Sequence, residues 1–355
     1  MIILGVISGL LLGVLFGFAL QRGRFCMKSA FTDIVLIKNY TLLKAIAIAI
    51  VVQMIGFLVL VSLGVISSLN PRPFYVVSMI IGGFIFGIGI VIAGGCLSGT
   101  TYRVGEGMIG SIVALVGFFF MILLNDMGLL AGMISFFNSL GQITVGSGGP
   151  YVLEPNPTIA NILGINPWIP SIIIAVSIMI LLIWTSRRAG EKIQLPKTRG
   201  ELYDKTFKKG WSWWVTGIVI GIIGVLAFPL SAATGRNDAL CLVCGWEGLT
   251  QFIITGDGGQ INWVTYFVFG IIIGAAISAV IAGEFKVRVP EANRLIMQFI
   301  GGALIGIGAL IAGSCNIGHI LSGIPQLALS SIVMGIFLVM GSWLATYFLF
   351  LREKE

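Results

Sequence analysis

The sequence predicts an all-α polytopic membrane protein: about nine transmembrane helices plus re-entrant half-helices, arranged as an inverted internal repeat. Three observations carry this. The 355 residues are 57% hydrophobic and only 10% charged, with a mean hydropathy of +1.05; a water-soluble domain cannot cover that much apolar surface. The basic residues segregate to one side of the predicted spans. And one stretch is written twice, "GGFIFGIGIVIAGGCLSG" (82–99) and "GGALIGIGALIAGSCNIG" (301–318), identical at 10 of 18 positions.

The apolar runs lie near 1–20, 42–66, 75–95, 108–124, 168–186, 211–230, 262–283, 297–314 and 331–351. The first lacks a basic n-region and a small-residue cleavage site, so it reads as a retained helix rather than a signal peptide. With nine spans, 19 of the 21 Lys and Arg fall on one face, and only Arg72 and Arg236 on the other. The positive-inside rule makes the rich face cytoplasmic, with the N-terminus outside and the C-terminus inside. The net charge of +7 is then an orientation signal, and no nucleic-acid partner is inferred from it. The segment 187–210, "RRAGEKIQLPKTRGELYDKTFKKG", reads as a solvated basic linker, with docking of an acidic partner as its functional alternative. The outer segment 125–167 contains no Lys or Arg and is expected to cap that face with short helical or re-entrant pieces.

The linker divides the chain into a first repeat of five spans (1–186) and a second of four (211–355). An odd first half inverts the second, so Cys96 follows a span ending inside and Cys315 one ending outside. Inverted repeats whose broken helices meet near the midplane are a transporter architecture. Gly82, Gly83, Gly87 and Gly89, and their counterparts Gly301, Gly302, Gly306 and Gly308, are spaced to let helix backbones approach closely. Gly94, Gly95 and Gly99 around Cys96, and Gly313, Ser314 and Gly318 around Cys315, instead break a helix. Broken backbone survives at membrane depth only where it is buried in protein or lines a polar cavity. A half-helix starting at either cysteine would aim N–H groups and a positive dipole end at its surroundings, which suits an anion.

Cys26, Cys96, Cys241, Cys244 and Cys315 are all the cysteines, each at a predicted helix break. A buried cysteine is often only a small hydrophobe, but 26 with 241 and 96 with 315 occupy repeat-related corners. "CLVC" (241–244) has the spacing of a redox pair on the outer side. Five thiols and His319, without a second close pair, make a poor metal site; no metal, cofactor or catalytic residue is assigned. His319 stands where Thr100 stands in the other repeat and reads first as a packed or pore-lining polar group. Asn316 lies beside Cys315. Arg22 and Arg24 flank Cys26, with anchoring of topology as the alternative to substrate contact. Arg103 and Glu106 lie three residues apart, spaced to pair. Arg236 could attract anions from outside. Asp33, Asp238 and Glu247 read as helix caps or proton carriers. Protonated thiols are weak donors and soft acceptors, so a path lined by them favours a sulfur- or selenium-bearing anion over an oxygen-only one.

"QRGRFCMKSAFTDIVLIKN" (21–39), "GIVIAGGCLSGTTYRVGEGMIGS" (89–111), "FPLSAATGR" (228–236), "INWVTYFVFGIIIG" (261–274) and "AGSCNIGHIL" (312–321), in this order, resemble the YeeE/YedE family, and most closely its bacterial thiosulfate-uptake transporters. The resemblance covers essentially the whole chain. It implies an hourglass-shaped, multi-pass inner-membrane importer rather than an enzyme. It implies too that Cys26, Cys96 and Cys315 line the constriction and pass thiosulfate inward through S–H···S contacts. A small TusA-like sulfur-carrier protein at the cytoplasmic face is implied as partner. Cys241 and Cys244 depart from the thiosulfate pattern, and selenium-linked relatives carry a C-x-x-C here. Uptake of a selenium compound or another sulfur oxyanion is therefore the second reading. A membrane thiol–disulfide oxidoreductase using Cys241 and Cys244 is the third.

Overall fold

A computed structural model describes residues 2–145, 156–188 and 203–352. Nine helical segments among them are long and apolar enough to cross a membrane, as the hydropathy pattern predicts. The first is broken. α1 (Ile2–Arg22) stops at Gly23, the chain turns through Arg24 at a φ of 48°, and α2 (Met27–Ile37) resumes it. α3 (Thr41–Ser62) follows, then a two-residue strand β1 (Phe74–Tyr75) leading into α4 (Val76–Ile92). A second break at Ala93–Cys96 separates α4 from the short α5 (Leu97–Gly105), and α6 (Ile109–Asp126) completes this half. Of the segment 125–167, residues 146–155 lie outside the described ones; the rest holds short pieces, α7 (Ala131–Ser139), β2 (Gln142–Ile143), which pairs antiparallel with β1, and α8 (Ile159–Leu163). α9 (Trp168–Arg188) packs on α3 and leaves most of its apolar surface open.

Beyond the linker, whose residues 189–202 lie outside the described ones, come α10 (Trp213–Ala232), α11 (Leu242–Thr255) and α12 (Trp263–Ile281). α13 (Ala292–Ala312), a π-helical turn (Ile317–Gly323) and α14 (Leu329–Thr346) end the fold. α13 starts five residues before the predicted span because Asn293 and Arg294 depress the hydropathy of its first turn. Asn262 sets the start of α12 by accepting the N–H groups of Val264 and Thr265, satisfying donors that a helix leaves orphaned.

Packing places the breaks in the interior. α1 lies along α12 and α10 along α3; α4 is held between α13 and α14, and α13 also lies along α6. The doubled glycines make these approaches possible. A Cβ on Gly82 would sit 2.9 Å from Gly308 O, and one on Gly308 would sit 2.8 Å from Gly82 O. Gly83 and Gly87 face the backbone of α14 as Gly302 and Gly306 face that of α6. Close contact of small residues is how membrane helices associate when both alternatives are apolar.

Candidate functional site

Three of the five cysteines are free, and all three are buried: Cys26, Cys96 and Cys315. Cys26 is the N-cap of α2 and Cys96 the N-cap of α5; Cys315 stands one residue before Asn316, the N-cap of the π-helical turn. Each cysteine therefore stands at the start of a helical piece, whose first-turn N–H groups no intrahelical carbonyl satisfies. Cys315 is fully buried.

Cys26 Sγ and Cys96 Sγ lie 3.7 Å apart, within S–H···S reach, and Ser98 Oγ lies 3.4 Å from Cys96. The next residue along α2 carries the contact across the molecule: Asn316 Nδ2 donates to Met27 Sδ at 2.9 Å. The Cys26–Cys96 corner and the Cys315 corner thus meet through Met27 and Asn316. Asn316 Oδ1 is buried without a described partner.

The glycines fit this arrangement tightly. Gly94 and Gly313 take positive φ (79° and 72°) where α4 and α13 end, the conformation that lets the chain turn off a helix. Gly99 lies directly against the thiols: a Cβ there would stand 2.7 Å from Cys26 Sγ and 3.3 Å from Cys96 Sγ. A Cβ on Gly318 would overlap Ser314 Oγ. Gly95 lies beside the Arg103 guanidinium.

The remaining candidates sort by what they touch. Thr100 turns its hydroxyl back onto Cys96 O and Leu97 O. His319 is packed: Nδ1 lies 3.0 Å from Ser331 Oγ and Nε2 3.0 Å from Ala312 O, with no exposure. Both ring nitrogens are engaged. Ser314 Oγ lies 3.7 Å from Cys241 Sγ. Cys241 and Cys244 form a disulfide across the first turn of α11, so neither presents an S–H group in this state.

The charged residues differ most from expectation. Glu106 does not pair with Arg103; it accepts from Gln21 and from Arg24, each at 3.0 Å, while Arg103 donates to Gly94 O at 2.7 Å. Arg22 is buried and fully occupied, donating to Gln21, Ser278, the carbonyls of Phe207 and Lys208, and Glu284. Arg24 also reaches Glu284, at 2.8 Å. Past the far end of α10, which begins beside Arg22, Asp238 accepts from Arg72 and from Arg236, each at 2.8 Å. Arg236 is bound rather than open to incoming anions, and Asp238 is an arginine partner rather than a helix cap. The sequence reading missed Gln21, Met27, Ser278, Glu284 and Arg294. Gln21 and Met27 stand inside or next to "QRGRFC", and Glu284 directly follows a span; adjacency was the only signal for them.

Burial alone would raise Glu284, but Gln21, Arg24 and Arg22 outweigh it and hold the carboxyl below the usual carboxylate range. Its stabilising contribution is therefore complete above the unfolded value of about 4.3 and is lost as pH falls through the lowered one. Glu284→Gln should lower the unfolding temperature of the purified protein by a few degrees. That loss should be equal at about pH 6 and about pH 8; a loss that changes between them would place another titrating group in the network.

Buried half-helix starts that gather thiols and N–H donors inside a nine-span helical protein define a polytopic membrane protein of transporter build. Residues 22–344 match the family described as "Sulphur transport", and the chain belongs to that YeeE/YedE family. It is similar to the "Thiosulfate transporter TsuA" of Spirochaeta thermophila, 38% identical over 347 residues, 97% of this chain and 99% of the relative. The "Thiosulfate transporter TsuA" of Escherichia coli is 34% identical over 351 residues, 99% of this chain and 96% of the relative. The "Probable transporter YedE" of Escherichia coli shares 40% identity over 101 residues, 28% of this chain and 24% of the relative.

Proposed function

We propose that this protein imports thiosulfate across the inner membrane through a relay of thiols, entering at the Cys315 corner and leaving past Cys96 and Cys26. The observation that carries the proposal is the buried Cys26–Cys96 pair, 3.7 Å between sulfurs, joined through Met27 and Asn316 to the Cys315 corner. The names of the full-length relatives support thiosulfate as the anion. Neutral S–H groups and half-helix N–H groups attract the substrate's terminal sulfur and its oxygens without placing a fixed anion in its way; a thiolate would repel a dianion by about 4 kcal/mol per charge pair at 4 Å for an effective dielectric near 20.

The equivalent packing of Gly83 and Gly87 on α14 and of Gly302 and Gly306 on α6 supports two inverted halves, 1–186 and 211–355, joined by the basic linker 187–210. The distribution of Lys and Arg supports an external N-terminus and a cytoplasmic C-terminus, with the ion network of Arg22, Arg24, Glu106 and Glu284 at the inner mouth. A TusA-like sulfur carrier at that face would draw substrate inward by consuming it. Some such pull, or an ion gradient, is required, because an inside-negative potential opposes a dianion by about 4.6 kcal/mol per 100 mV.

Radiolabelled thiosulfate uptake by the purified protein in liposomes, with and without a pH gradient, tests the reading. Unlabelled thiosulfate should compete strongly, sulfate weakly, and Cys315→Ala should cut uptake at least about tenfold. Undiminished uptake by Cys315→Ala at equal incorporation would remove the relay. Stronger competition by a selenium compound than by thiosulfate would change the substrate. The Cys241–Cys244 disulfide favours the oxidoreductase as a second reading; uptake that survives replacement of both by serine excludes it.

A further inference from the structure

The arginines near the two mouths fall into two groups. Arg22, Arg24, Arg72 and Arg236 are each bound to a carboxylate. Arg103 and Arg294 are not: among the described residues neither has an acidic group within ion-pairing distance, and both converge on Gly94, the corner that precedes Cys96. Arg103 Nη1 donates to Gly94 O at 2.7 Å. A Cβ on Gly94 would find Arg294 Nη2 at 3.6 Å and Gln298 Nε2 at 3.9 Å as its nearest neighbours. Gln298 makes no described side-chain hydrogen bond, and its Oε1 is buried without a partner.

The fold itself gains little from this cation. Arg294 sits in the first turn of α13, where a positive charge opposes the helix dipole rather than complementing it. Arg103 lies beside the residue that precedes Cys96: a Cβ on Gly95 would stand 3.2 Å from Arg103 Nη1. Arg103 and Arg294 together bring two guanidinium groups to this corner, a match for a dianion.

We propose that Arg103, Arg294 and Gln298 form a second anion site at the Gly94 corner, which takes the oxyanion end of thiosulfate as its terminal sulfur leaves the Cys26–Cys96 pair. The inference rests on the import reading above. Arginine suits the task because its planar fork of N–H donors matches a pair of sulfonate oxygens. The neutral thiols select the soft sulfur, and the guanidinium groups take the hard end. The transfer moves no electrons and breaks no bond.

The test is equilibrium binding of radiolabelled thiosulfate to the purified full-length protein at fixed ionic strength. Arg294→Gln should raise the dissociation constant roughly tenfold or more, the loss expected for one charge-assisted contact. Arg294→Lys should fall between, because it keeps the charge and loses the fork. Arg288→Gln, at an exposed position in the loop before α13, should bind as the parent does. Equal affinity for the parent and Arg294→Gln would overturn the site while leaving the import reading intact. Equal weakening in the Lys and Gln variants, with a matching loss of thermal stability in both, would make Arg294 structural and overturn it as well. A parent that binds no thiosulfate would overturn the import reading, and this site with it.

Discussion

Gly99→Ala should suppress thiosulfate uptake by roughly 100-fold, the order that an ångström of misplacement costs a paired geometry, while the protein still folds and inserts. Position 99 lies within α5, where alanine is favoured over glycine by about 1 kcal/mol; the substitution suits the local helix. The damage falls on the thiols. The added methyl would stand 2.7 Å from Cys26 Sγ and 3.3 Å from Cys96 Sγ. The first distance is too short for contact, so Cys26 must rotate or α5 must withdraw. Either movement separates sulfurs that now lie 3.7 Å apart. Uptake in liposomes, read beside the thermal stability of the same preparation, checks this. Parent-level uptake by a stable Gly99→Ala protein would mean that the sulfur pair is not on the path. A companion variant, Gly99→Ala with Cys26→Ala, should be little worse than Cys26→Ala alone, because the closest clash is then removed and only the milder 3.3 Å contact with Cys96 Sγ remains.

How much of this was legible in the sequence depends on range. The nine spans could be read because each is a continuous apolar run. The corners could be read because Gly94–Cys96 and Gly313–Cys315 follow the same matched stretch. Both signals are local in the chain, and the second was strengthened by being written twice. Partners far apart in the chain were not legible. Glu106 was matched to Arg103 by spacing, yet it bonds Gln21 and Arg24, 85 and 82 positions away, because α5 ends where α1 turns. Glu284 binds Arg22 across 262 positions, which no helical periodicity encodes. In the sequence Arg294 is one of the basic residues that set topology; its convergence with Arg103 follows from the close approach of α4 and α13 that Gly89 and Gly301 permit. The glycines were correctly read as packing residues, but which helix each one faces emerges only from the assembled bundle.

That last distinction makes the second large prediction. Gly302→Ala should be severely destabilising, whereas Gly335→Ala, also at a buried helix position, should be neutral or stabilising by up to about 1 kcal/mol. A Cβ at Gly302 would lie 1.9 Å from Ala114 O, and its further neighbours are Ala114 backbone atoms too. A side chain could rotate away, but a carbonyl within a helix cannot. α13 would have to move from α6 by about an ångström, losing contact along the seam, at a cost of about 1–3 kcal/mol or more for overpacking. At Gly335 the nearest atom to a built Cβ is Ile324 Cδ1 at 3.8 Å, an ordinary contact, so only the helical preference for alanine remains. Unfolding temperature and detergent-resistant monodispersity of the two purified variants provide the comparison. Equal behaviour would show that α13 and α6 do not meet backbone to backbone. A large difference would establish that contact, and Gly302→Ala should then also weaken thiosulfate binding, because α13 runs on from Gly302 to Gly313 and the Cys315 corner.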